Sequence, residues 1–232
     1  MANSGDAPKT DLTGHERGFN QTVYADPLDG AAYGDVTGTI SDRARGGNDV
    51  LIGGADARNL LYGDTFRFDD YGRGGNDTLY GGSGLDAVNE LYGDASHMYG
   101  NAIGGNDELI GGADAANYIF GDAGKMTNGA VGGNDELTGG ADATNLLVGD
   151  AQYMYFSSVG GNDELIGGDG ATNTLVGDAL YMYGTAIGGR DTLTGGAGAS
   201  NYLFGDASSI TDDGRGGNDT LIGGAGDRKS VV

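Results

Sequence analysis

Seven aspartates in this chain close near-identical tetrads: Asp49, Asp77, Asp107, Asp135, Asp163, Asp191 and Asp219. Six of the tetrads read Gly-Gly-Asn-Asp, and the one at Gly188 to Asp191 reads Gly-Gly-Arg-Asp. They follow one another at steps of 28, 30, 28, 28, 28 and 28 residues. A second set, Asp35, Asp64, Asp94, Asp122, Asp150, Asp178 and Asp206, recurs in Gly-Asp pairs with a similar rhythm. A period of this length marks an array whose units bury their apolar faces only by stacking on neighbours. Stacking turns each repeated aspartate into a column of carboxylates. Such a column repels itself, and hard divalent cations such as Ca²⁺, coordinated by oxygen, relieve that repulsion. Both columns are candidate metal ligands; a turn-forming aspartate capping each bend is the competing reading, and it competes more strongly for the Gly-Asp set. Six gaps in each column, filled with one divalent ion apiece, would bring twelve ions, a charge close to cancelling the chain's formal -22.

Other recurring polar positions read as architecture. Asp56, Asp114 and Asp142 have Gly84, Gly170 and Gly198 as their equivalents, an Asp-or-Gly choice that signals a left-handed backbone. Asn59, Asn89, Asn117, Asn145, Asn173 and Asn201 form an unbroken set suited to an amide ladder along the stack. Catalytic chemistry finds no foothold. His15 and His97 belong to no recurring constellation, and no P-loop lysine follows the glycine runs. We therefore expect no enzyme and no catalytic residue.

The elements that must position the aspartates are short. In Gly104 to Val131, the runs around Leu109 and Ile119 are bounded by Gly and Asp, too brief for helices and suited to strands. A less regular third stretch carries Met126. Across the repeats these become three apolar columns. The first is Leu51, Leu79, Leu109, Leu137, Leu165, Leu193 and Leu221; the second is Leu61, Leu91, Ile119, Leu147, Leu175 and Leu203; the third is Phe68, Met98, Met126, Met154, Met182 and Ile210. They predict an all-β fold, a parallel β-solenoid of about seven rungs of 28 residues with a third side. A propeller would need four strands and about 40 residues per blade. Alternation places Tyr62, Tyr92, Phe120, Val148, Val176 and Phe204 outside, as an association stripe or a surface covered by the extra residues of each repeat. Tyr153, Tyr155, Tyr181 and Tyr183 form a similar patch.

Of 232 residues, 34 are acidic, 12 are basic and 50 are glycine. That composition predicts a chain that folds only once cations neutralise it. It also argues against nucleic acid as a partner, which needs a basic face. There is no cysteine, no membrane-length apolar run and no apolar leader core in the first twenty residues. We divide the chain into an N-terminal arm or partial rung at 1–33, repeats over 34–224 and a tail at 225–232. Tyr33 to Asp35 resembles a second strand, and NQTVYAD before it is a further echo; the chain closes after a first strand. Such complementary half-rungs predict end-to-end self-association.

GGNDELIGG, GGNDTLYGG and GGNDTLIGG resemble the calcium-binding nonapeptide GGxGxDxUx of the RTX (repeats-in-toxin) family, with Arg73 in the second glycine's place of one copy. The resemblance implies a right-handed β-roll with several Ca²⁺ ions held between turns by the motif aspartates and turn carbonyls. It also implies leaderless secretion and an extracellular or cell-surface location. An ordinary β-roll coil is shorter; here the second motif is altered to GGADxxN-type sequences and followed by about ten extra residues. The expected function is a secreted, calcium-stabilised, self-associating structural solenoid in contact with a cell surface or matrix. The alternative is a binding or secretion module of a larger toxin, adhesin or exported enzyme.

Overall fold

The computed structural model describes residues 10–25 and 31–227, and the backbone of 229–231. Its strands run through each repeat in threes, as in Glu108–Ile110, Ala116–Phe120 and Ala123–Thr127. Like strands of successive repeats pair in parallel, so the chain winds as a three-sided solenoid with two eight-stranded sheets and one seven-stranded sheet. No helix among the described residues is long and apolar enough to cross a membrane.

Register follows the columns. Leu109 pairs with Leu79 and Leu137 in the first sheet, Ile119 with Leu91 and Leu147 in the second, and Met126 with Met98 and Met154 in the third. A one-residue slip would turn each of these side chains to the opposite face. A fourth line of single bridges runs just before the tetrads: Arg17, Arg45, Arg73, Ile103, Val131, Val159, Ile187 and Arg215. The rungs stack so closely at the tetrad that a Cβ on Gly133 would collide with the Gly105 carbonyl, which explains why that position carries no side chain.

The interior is split in two. One apolar compartment joins the first and second columns, from Leu51 and Leu61 to Leu193 and Leu203. The other holds the third column, with Phe68, Met98, Met126, Met154 and Met182 set among alanines such as Ala102, Ala123 and Ala130. Ile210 is the exception in its column: at the last turn it is 41% exposed. Two segments of each coil pass between the compartments: the Gly-Asp pair leading from second to third sheet, and the tetrad leading back to the first. They pinch the coil into a waist.

Two expectations need correction. The NQTVYAD segment is not a second-sheet strand: Thr22–Tyr24 pairs with Val50–Ile52 in the first sheet. Its Val23 occupies the leucine position, one full period before Leu51. Nor does the chain close after a first strand: Lys229–Val231 pairs with Ser200–Tyr202 in the second sheet. Of the two readings of the outer stripe, the covered one holds. Tyr62 and Phe120 are nearly buried and Val148 and Val176 fully so; Phe120, Val148 and Val176 form a small cluster with Leu180 of the third sheet. The extra residues of each repeat build that third sheet, which bends back beside the stripe. Tyr33, Tyr62, Tyr92 and Phe120 stack there with ring centroids 5.0–5.1 Å apart. The expected amide ladder and left-handed turns are present. Asn117 Nδ2 donates to Asn145 Oδ1 at 2.8 Å, and Asn145 repeats the bond to Asn173. Asp56, Asp114 and Asp142 have φ of 50°, 56° and 53°.

Candidate metal centre

Both aspartate columns enter the waist from opposite sides. The tetrad aspartates arrive on the segment that precedes the first sheet. Their Oδ1 atoms accept bonds from the tetrad amide one rung earlier: Asp77 N to Asp107 Oδ1, Asp107 N to Asp135 Oδ1 and Asp135 N to Asp163 Oδ1, each at 2.8 Å. The Gly-Asp aspartates arrive at the elbow between second and third sheets. They accept from the tetrad's second glycine: Gly133 N donates to Asp122 Oδ1 at 2.8 Å, and Gly161 N to Asp150 Oδ1 at 2.7 Å. Each coil is thus closed by a carboxylate that spans its waist.

These bonds satisfy only one oxygen of most carboxylates. Ten buried oxygens have no hydrogen-bond partner: Oδ2 of Asp49, Asp77, Asp107, Asp135, Asp163, Asp191, Asp122, Asp150 and Asp178, and Oδ1 of Asp64. All belong to residues with at most 3% exposure. The two columns converge. Carboxylate oxygens of Asp35, Asp49 and Asp64 lie within 4.8 Å of one another. Further along, a side chain at Gly104 would meet both Asp122 and Asp94, and one at Gly93 would meet Asp107 together with the Gly121 carbonyl. The fold thus sets the two columns against each other along one waist rather than as two separate rows.

Electrostatics make this row untenable as bare anions. Burial first, then neighbouring aspartates, push Asp64, Asp94, Asp135 and Asp150 well above the ordinary carboxylate value. For Asp49 burial and then the Asp35 charge raise the pKa to about 7. Burial carries Asp122 to about 6, and burial with Asp191 carries Asp178 to about 9. The ion pairs Arg58–Glu90 and Arg67–Asp69 lie on the outside and bring no cation to the waist. An uncompensated buried charge costs several kcal/mol, and eleven aspartates are buried here. Their sum far exceeds the roughly 5–15 kcal/mol by which domains are stable. At neutral pH the row must hold protons or cations.

The donor set fits a hard cation. Carboxylates and glycine carbonyls are the ligands Ca²⁺ takes, six to eight at a time and in flexible geometry. Asp35, Asp49, Asp64, Asp77, Asp94, Asp107, Asp122, Asp135, Asp150, Asp163, Asp178 and Asp191 are the residues the fold brings to this row. Asp206 and Asp219 continue it at the last turn, where Asp191 N donates to Asp219 Oδ1 at 3.0 Å and Gly217 N donates to Asp206. The extra rung at the other end was missed in the sequence. Gly18-Phe19-Asn20-Gln21 takes the tetrad's place, and Gln21 N donates to Asp49 Oδ1 at 2.7 Å. Its signal was the Arg-Gly-x-Asn pattern one period before Arg45, but Gln21 brings no carboxylate. A second ladder also went unread: tetrad asparagines outside the waist accept from the next rung, as Asn106 Oδ1 does from Asn134 N at 2.8 Å.

Four stretches, residues 43–64, 71–89, 186–208 and 213–227, match the family model of the RTX calcium-binding nonapeptide repeat. The chain carries RTX calcium-binding repeats in an enlarged 28-residue form, and these imply multiple Ca²⁺ ions. Residues 90–185 lie between the matched blocks, yet their three tetrads make the same waist contacts. No curated protein and no solved structure matches the chain.

Proposed function

We propose that this chain is a secreted structural solenoid whose single interior row of aspartates is filled by Ca²⁺ outside the cell, and that filling the row folds it. The observation that carries this reading is the set of ten buried carboxylate oxygens without a donor. Extracellular-type calcium sites work at roughly 10⁻⁴–10⁻³ M, so the acidic chain stays unfolded where calcium is scarce and folds on reaching millimolar calcium. Both aspartate columns serve as ligands of shared ions.

Self-association follows the third sheet. Its outer face carries Tyr153 stacked on Tyr181 at 5.3 Å and Tyr155 on Tyr183 at 4.9 Å, with Phe156 60% exposed beside them. Such an aromatic strip suits lateral contact with a second copy or a matrix surface.

Circular dichroism with and without a calcium chelator tests the folding claim, and sedimentation in millimolar calcium tests the association. A spectrum unchanged by chelation at pH 7 would overturn the first. A monomer at high concentration would overturn the second.

A further inference from the structure

The surface before the first tetrads breaks the acidic character of the chain. Arg17, Arg45 and Arg73 bridge in register on three successive rungs. Together with Arg43, His15, Glu16 and Tyr71 they line a depression of about 330 Å³. Four of the chain's 12 basic residues therefore meet at one corner.

Architecture does not demand them. The same bridge position is Ile103, Val131, Val159 and Ile187 in the middle of the solenoid, so an apolar side chain serves the stack equally well. Cations one rung apart, about 4.8 Å, repel each other. Glu16 is the one carboxylate among the described residues lining the depression, and it accepts a bond from the Thr13 amide at 3.0 Å. Asp42 lies in the adjoining cleft with His15, Arg43 and Tyr71. Positive charge still exceeds negative.

The backbone adds an independent sign. Arg43 and Tyr71 hold φ of 73° and 67°, in the left-handed region. Bulky residues there cost of order 1 kcal/mol or more and persist where the side chain has a task. The equivalent position two rungs further on is Gly129, the residue that conformation favours.

We propose that this corner binds a phosphate-type oxyanion, free or carried on a lipid headgroup. Planar guanidinium forks match the paired oxygens of a phosphate, and several at once neutralise its double charge. Tyr71 and His15 supply further donors at the rim.

The test uses the calcium-loaded full chain. Glycerol phosphate, which leaves calcium in solution, is titrated calorimetrically, and vesicles of phosphatidylcholine with and without phosphatidic acid are assayed by co-sedimentation. Binding of at least one probe is expected, weakened about tenfold or more in Arg45→Gln/Arg73→Gln. Arg190→Gln/Arg215→Gln removes equal charge at the other end and should leave binding unchanged. Glycerol phosphate binding identifies a free ligand; binding confined to the acidic vesicles identifies a lipid-borne one. No binding to either probe, or equal loss in both double variants, overturns the proposal. All four arginines are exposed, so a calcium-dependent dichroism spectrum equal to the parent's verifies that each variant folds.

Discussion

Asp122 closes its coil by accepting the Gly133 amide at 2.8 Å, while its other oxygen stays buried without a partner. The same side chain thus does architecture with one atom and leaves the second for a ligand. Repeated rung after rung, this division sets the chain's dependence on cations.

Asp135→Asn separates the two jobs. Asparagine keeps the oxygen that receives Asp107 N but removes a charge from the row. Calcium bound per chain should fall by about one ion, because a carboxylate ligand is lost. The calcium-free fold should survive to higher pH than the parent's, because a buried repulsion is relieved. Equilibrium dialysis and dichroism against pH in chelator read these out. Asp142→Asn, on an exposed left-handed turn, should change neither.

The calcium-free fold should prefer acid. Raised folded-state pKa values mean the native chain binds more protons than the unfolded one, so stability falls as pH rises. Without calcium it is fullest below the ordinary value of 3.8 and drains away as pH climbs through about 6 for Asp122, about 7 for Asp49 and Asp191 and about 9 for Asp178. Calcium then replaces protons in the row, and its binding near pH 6 should release them. Dichroism against pH in chelator checks the direction; a calcium-free chain that is most stable at pH 8 contradicts it.

Asn145→Ala should weaken the calcium-loaded solenoid by about 2–4 kcal/mol, through lost bonds and a buried donor left unpaired. Asn145 ties Gly140 N and Gly140 O within its rung at 3.0 and 2.8 Å and joins Asn117 to Asn173 along the stack. Denaturant midpoints in saturating calcium measure the loss, and calcium stoichiometry should not change. A shift below about 0.5 kcal/mol would show that the ladder is incidental.

Gly133→Ala should prevent the calcium-loaded fold from forming around that rung, since its Cβ would collide with the Gly105 carbonyl of the backbone itself. Gly198→Ala, left-handed but with open space around it, should cost only about 1 kcal/mol. Thermal melts of both variants in calcium rank the two effects.

Much of this was legible because stacking copies each residue into a column. Leu51, Leu61 and Phe68 declared their core positions by repetition, and the Asp56-or-Gly84 choice declared a backbone conformation. What hid was the path of the chain across the coil. Asp49 and Asp64 are 15 residues apart in a sequence that does not say where the elbow falls, so their meeting in one waist could not be read. Tyr62 left two readings for the same reason: alternation set it outside the core, and only the bend into the third sheet shows that the extra residues cover it. Gln21 hid because its rung kept the spacing and lost the acid.

Calcium titration of the full chain at pH 7, counting bound ions by calorimetry while dichroism follows folding, tests the central claim most directly. The account predicts an unfolded chain without calcium, then several ions taken up together with the β-sheet signal. A solenoid already formed in chelator, with its aspartates binding no calcium at millimolar concentration, would contradict it.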